Sequence, residues 1–201
     1  MLTARFEDAI VYATRLHRAQ LRKGTNVPYL AHLIGAASIA LEHGADEDEA
    51  IAALLHDAIE DQGRDGATRD EIGARFGAEV LAIVQGCTDA EGAPGREKPP
   101  WRARKEQYLR HLREAPPSTR LVSASDKLHN ARAILADYHT LGDEIWARFS
   151  GGREGTLWYY RALVDAFRAA DSERTMNRLI DELDRTVGEV ERLSARDAKA
   201  Q

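Results

Sequence analysis

His56-Asp57-Ala58-Ile59-Glu60-Asp61 places one imidazole and three carboxylates within six residues, directly after the apolar run Ala50-Ile51-Ala52-Ala53-Leu54-Leu55. The run has no helix breaker and reads as the opening turns of a buried helix. Continued through the polar residues, that helix stacks His56 under Glu60 and Asp57 under Asp61, because residues four apart share a face. Carboxylates crowded at the edge of an apolar interior repel one another and resist desolvation. A bound cation resolves both costs.

The rest of the chain offers further ligands. His32 falls in the first turn of a second helical pattern, and Asp126 interrupts a long helix otherwise rich in small apolar residues. A carboxylate in such a helix needs a partner. His32, His56, Asp57 and Asp126 form a mixed nitrogen and oxygen set that suits Mn²⁺, Fe²⁺, Zn²⁺ or Mg²⁺ and leaves positions for water or substrate. An ion so held lowers the pKa of bound water and neutralises phosphoryl charge. Glu60 and Asp61, one turn beyond, are placed to move a proton. Cations gather at two loops, Arg22-Lys23 near the first and Arg96, Lys98, Arg102, Arg104 and Lys105 around the second, so the substrate expected is anionic. Together these parts predict hydrolysis of a phosphate ester or anhydride.

The elements that must position these residues are all helical. Apolar residues at helical spacing predict helices over 4–20 and 31–43, the latter closed by Gly44. Asp46 caps the helix that carries His56. Thr68 and Glu71 fit a capping box that opens a short helix to Phe76. Residues 86–100 hold three glycines and three prolines and read as a long loop, a length typical of lids and binding loops. Ser118 or Thr119 caps the helix of Asp126, and Asn130 lies one turn later on its side. Phe149-Ser150-Gly151-Gly152 reads as a second flexible loop. Arg153 and Trp158-Tyr159-Tyr160 follow it, aromatics that serve either as core or as a surface on which a base stacks. Ser172 to Ser194 reads as a final helix, packed on the domain or on a second copy in a homodimer. The fold class is all-α, with a hydrolase domain over 1–170 and the C-terminal helix over 171–201.

Composition narrows the partners. The 201 residues are 43% apolar and 30% charged, with net charge −5, so no basic field draws the chain to nucleic acid. No stretch approaches a membrane span and the first residues lack a signal segment. The single cysteine, Cys87, excludes an internal disulfide and fits a reducing, cytoplasmic compartment.

His32, His56-Asp57 and Asp126 together resemble the H…HD…D signature of the HD-domain phosphohydrolases, which are helical bundles. Four stretches are similar to the hydrolase domain of RelA/SpoT-type proteins, and specifically to the stand-alone small alarmone hydrolases. They are HRAQLRKGTNVPYLAH (His17 to His32), LLHDAIEDQ (Leu54 to Gln62), FGAEVLAIVQGCTD (Phe76 to Asp89) and SASDKLHNAR (Ser123 to Arg132). The resemblance implies one Mn²⁺ on the four ligands and an acidic pair, Glu60 and Asp61, that activates or orients the attacking water. It further implies that Arg22 and Lys23 meet base and phosphate, and that Asn130 meets the ribose-phosphate part. Lys98, Arg102, Lys105, Arg153 and Tyr159 complete the expected substrate contacts. The reaction implied is removal of the 3′-pyrophosphate of (p)ppGpp, the stringent-response alarmone, by a hydrolase-only protein.

The chain departs from that pattern in places. Leu33 stands where the family usually has proline, and GTNV lengthens the loop before Pro28-Tyr29. Residues 151–161 differ from the nucleotide-lining segment of better-known members, which leaves an adenine alarmone as an alternative. Two other readings use the same ligands: an HD-type nucleotidase acting on other nucleotides or deoxynucleotides, and a non-catalytic nucleotide-sensing module. The first requires neither Glu60-Asp61 nor Arg22-Lys23; loss of the acidic pair would favour the second, and its presence argues against it.

Overall fold

The computed structural model describes residues 1–63, 66–88, 99–170 and 174–200. Among these residues every regular element is helical, with one isolated antiparallel bridge between Leu21 and Pro28. The helices are α1 (Ala4–Leu16), α2 (Leu30–Glu42), α3 (Glu47–Leu55), α4 (Ala58–Gln62), α5 (Ala67–Phe76), α6 (Ala78–Cys87), α7 (Trp101–Glu114), α8 (Pro117–Leu141), α9 (Gly152–Ala170) and α10 (Arg174–Ala200). A 3-10 segment, Gly142–Arg148, lies between α8 and α9. Two compact units divide the chain: Met1–Glu91 with Ala115–Asp126, and Gly92–Glu114 with Lys127–Gln201.

In the first unit α3 is the central helix. Ala50 through Leu55 are all buried, and the helix packs on α1, α2 and α6. Its polar start is stabilised by a capping box in which the Asp46 carboxylate accepts from the Glu49 amide and Glu49 accepts from the Asp46 amide. The core joins Leu33, Ile51, Leu54, Leu55, Ile72, Phe76 and Val122, and each large side chain so buried contributes about 2 kcal/mol. Gly44 ends α2 as expected, at φ +88°, with the Ala45 amide donating to Ala40 O and the Gly44 amide to Leu41 O. On α8, Val122 through Asp126 are all buried, so the Asp126 carboxylate is carried on a helix with no solvent face at that point. Gly86 gives α8 its close seat on α6, since a Cβ there would lie 2.7 Å from Thr119 Cγ2.

Several boundaries differ from expectation for local reasons. α1 stops at Leu16, where the His17 amide caps Ala13 O and the chain turns into the Leu21–Pro28 bridge. The helix expected to run through residues 56–61 breaks into α3 and α4 at His56 and Asp57. His56 Nδ1 takes the Ala53 carbonyl at 2.8 Å, the acceptor that a continuous helix would offer to the Asp57 amide. The stacking of His56 under Glu60 on one helix is therefore not observed. Thr68 caps nothing; its hydroxyl donates to Gln62 O at 2.6 Å, and α5 begins earlier, behind Gly66. α8 starts at Pro117, a residue preorganised for a first helical turn, rather than behind a Ser118 or Thr119 cap. The final helix reaches Ala200, beyond the expected Ser194.

The second unit has its own core of Ile134, Tyr138, Ile145, Trp146 and Val190. α9 packs on α7 and α10, and Arg161 ties α9 to α10 by bonding Asp184 at 2.5 Å and Glu191 at 2.6 Å. The glycines at 151 and 155 are filled from outside: the Trp101 ring lies where their Cβ atoms would be, 2.6 Å and 3.1 Å away. That segment, expected as a loop, is a tight turn into α9 with Trp101 against it.

Candidate metal centre

Three separate stretches of the first unit bring four side chains together. α2 supplies His32, the α3–α4 break supplies His56 and Asp57, and α8 supplies Asp126. His32 Nε2 lies 3.2 Å from His56 Nε2, 3.2 Å from Asp126 Oδ1 and 3.6 Å from Asp57 Oδ2. His56 Nε2 lies 2.9 Å from Asp57 Oδ2 and 3.5 Å from Asp126 Oδ1. Both imidazoles and Asp126 are buried, while Asp57 retains some exposure. The break after α3 is what turns Asp57 to the same point as His56.

The chemistry of the donors fits a divalent cation. His56 Nδ1 donates to the Ala53 carbonyl, so in its neutral form Nε2 carries the lone pair and faces His32 Nε2 and two carboxylates. Such a cluster of lone pairs and negative charge holds together only around positive charge. In the metal-free protein a proton on His56 meets part of that need. Burial alone would lower the His56 pKa, but Asp57 and Asp126 overcome it and hold the imidazole well above its usual value. Burial would likewise raise Asp57, yet His56 and His32 keep that carboxyl well below the usual range. Tyr29 donates its hydroxyl to Asp57 Oδ2 at 2.5 Å, and burial together with Asp57 raises the phenol pKa.

The remaining expected residues are placed as follows. Glu60 and Asp61 lie exposed on α4, and Asp61 Oδ2 accepts a 2.6 Å bond from Gln20 Nε2. Arg22 is partly buried in the α1–α2 loop, 6.0 Å from the Tyr29 ring centroid, and Lys23 beside it is exposed. The other residues belong to the second unit. Asn130 is half-buried on α8. Arg102 stacks on Trp158, 3.1 Å from the ring centroid, and pairs with Glu106; Lys105 lies 4.9 Å from the centroid of buried Tyr159. Arg153 donates to the Ser194 carbonyl. Lys98 lies outside the described residues, as does Arg96. Sequence reasoning gave no role to His17, Gln20, Tyr29 or Gln62. Tyr29 bonds Asp57 and Gln20 bonds Asp61, while His17 and Gln62 both bond Gln20, and His17 stacks on Tyr29.

Comparison with known proteins adds four findings. The HD domain family matches residues 9–157. The guanosine-3′,5′-bis(diphosphate) 3′-pyrophosphohydrolase MESH1 of Mus musculus is 36% identical over 134 residues, covering 65% of this chain and 70% of the mouse protein. Its Drosophila melanogaster counterpart is 30% identical over 141 residues, 69% of this chain and 74% of that one. Among solved structures, a metazoan ortholog of SpoT, described as hydrolysing ppGpp, superposes with a TM-score of 0.71 at 25% identity, covering 94% of this chain and 98% of that one.

Proposed function

The chain belongs to the HD-domain family, and from that membership we propose that it is a hydrolase of guanosine alarmones, removing the 3′-pyrophosphate of (p)ppGpp to give GDP or GTP and pyrophosphate. The observation that carries the reading is the convergence of His32, His56, Asp57 and Asp126 on one point, with Glu60 and Asp61 on the helix that begins there. The mouse and fly relatives are named for this reaction.

The four donors would hold one divalent ion, which we assign as Mn²⁺. When bound it supplies a Lewis acid for phosphoryl oxygen and lowers the pKa of water. The protein's own groups do the rest. The Ala53 carbonyl keeps the His56 ring in the tautomer whose Nε2 faces inward, and Tyr29 holds the Asp57 carboxylate in place. Glu60 takes the proton of the attacking water and Asp61 orients that water. The water oxygen bonds to the 3′-linked phosphorus as the P–O3′ bond breaks, and the 3′-oxygen leaves with the proton that Glu60 returns. Arg22 and Lys23 hold the anionic substrate, offsetting charge that grows in the transition state. Asn130 is assigned to the ribose-phosphate part and Arg153 and Tyr159 to further substrate contacts on the sequence resemblance; Lys98, Arg102 and Lys105 are assigned to the anionic substrate because they form a local basic cluster in the sequence. The same proposal keeps residues 1–170 as the hydrolase domain, 171–201 as a helix open to packing on a second copy, and the cytoplasm as the place of action. Among the described residues no helix is long and apolar enough to cross a membrane.

The test is a turnover panel with Mn²⁺: ppGpp, pppGpp, ppApp, GTP and dGTP, with phosphate and pyrophosphate assayed separately. Pyrophosphate from ppGpp and pppGpp is the expected result. Turnover of GTP or dGTP alone would replace the reading with a general nucleotidase, and no turnover by metal-loaded protein would leave a sensing module.

A further inference from the structure

Asp61 is an exposed carboxylate on a five-residue helix, a setting in which a side chain ordinarily samples several rotamers. Here it is held. Gln20 Nε2 donates to Asp61 Oδ2 at 2.6 Å, and the Asp61 amide donates to the carbonyl of the metal-site residue Asp57 at 2.9 Å. We propose that Gln20 is a positioning residue for Asp61, its amide locked in one orientation by His17 and Gln62. This inference rests on the reading of Asp61 as part of the acidic pair.

The lock follows from donor and acceptor arithmetic. A carboxylate only accepts, so Gln20 must turn its NH₂ toward Asp61. Its Oε1 then accepts from His17 Nδ1 at 2.8 Å and from Gln62 Nε2 at 2.8 Å. Flipping the amide would set its oxygen against the Asp61 carboxylate and its NH₂ against that of Gln62, and would leave His17 to change tautomer or turn. The His17 ring cannot readily turn to accommodate that. It is buried and stacks on Tyr29 with centroids 5.5 Å apart and planes 22° apart. The Gln20 main chain is also fixed, because the Tyr29 amide donates to its carbonyl at 2.9 Å across the Leu21–Pro28 bridge. One short stretch thus steadies the metal ligand Asp57 through Tyr29 and the acidic residue Asp61 through Gln20. With Oδ2 committed to Gln20, Oδ1 is the oxygen left to meet the attacking water.

A double-mutant cycle tests this, with Mn²⁺-loaded protein and ppGpp as the probe. Gln20→Leu should lower kcat about tenfold, the scale of lost outer-shell contacts, with KM and metal content near wild type. In an Asp61→Ala background the same substitution should cost nothing further, since no carboxylate remains to be positioned. His17→Phe, which keeps the stacked ring and removes the Nδ1 donor, should give a smaller fall in kcat that also disappears with Asp61→Ala. It serves as the second probe if Gln20→Leu disturbs folding. Equal losses in both backgrounds would overturn the role of Gln20 while leaving the proposed function intact. Wild-type kcat in Asp61→Ala, or no pyrophosphate release by the wild type, would overturn the functional reading and this inference with it.

Discussion

Glu60 and Asp61 are adjacent and chemically alike, yet their surroundings divide them. Asp61 has one oxygen bonded to the Gln20 amide, and in the proposed reaction it orients the water while Glu60 moves the proton. Glu60→Gln should therefore keep the metal and lower kcat by about 10²-fold or more, with metal content and ppGpp turnover measured on the same sample. Wild-type turnover would remove the assigned role. The raised His56 has its own consequence. In metal-free protein the imidazole holds a proton above its ordinary range, so its contribution to stability is full below about pH 6.5, the unfolded value, and is lost as pH rises through the folded value. Asp57 runs the other way: its contribution is present above about pH 4 and lost as pH falls through its depressed value. An entering cation must displace the His56 proton. Calorimetry in buffers of different ionisation enthalpy should show proton release on Mn²⁺ binding near pH 7, and apparent affinity should climb with pH. The four candidate ligands stood out in the sequence because each is an anomaly, a charge or imidazole within or at the end of an apolar helix. Tyr29 and Gln20 did not, because a tyrosine and a glutamine near a loop are ordinary until their partners across the fold are known.

At the scale of elements, the chain order of helices was readable from periodicity and punctuation, while several of their ends were set by local bonds that spacing does not show. His56 closing on the Ala53 carbonyl is the clearest case: nothing in the spacing of residues 50–61 marks a break there, and the break is what lets His56 and Asp57 aim at one point. The seat of α8 is set by a missing side chain. Gly86→Ala would drive a methyl to 2.7 Å from Thr119 Cγ2, and overpacking of this kind costs about 1–3 kcal/mol. The expected outcome is a lower Tm together with weaker Mn²⁺ retention, because Asp126 is carried on the same helix seven residues further along. A lower Tm with unchanged retention would show that α8 shifts without moving the ligand. The turn at Gly151 teaches the opposite lesson about glycine. It reads as looseness in sequence, and in the fold it is the space that Trp101 fills.

For the molecule as a whole, a ligand that binds only the folded state adds to its stability by mass action. At about a hundredfold excess over Kd the gain is about 2.7 kcal/mol, or roughly 5–10 °C in Tm for a chain of this size. Chelation should reverse it, as read by calorimetry with and without Mn²⁺, and the Asp57→Ala variant should show no such difference. The donors come from residues 32, 56, 57 and 126, so an ion that joins them stitches together distant parts of the chain. During synthesis three of the four emerge early, and Asp126 follows only after a long interval. An ion bound by all four donors would require α8 in its seat against the earlier helices, so its coordination would report on assembly as well as serve chemistry.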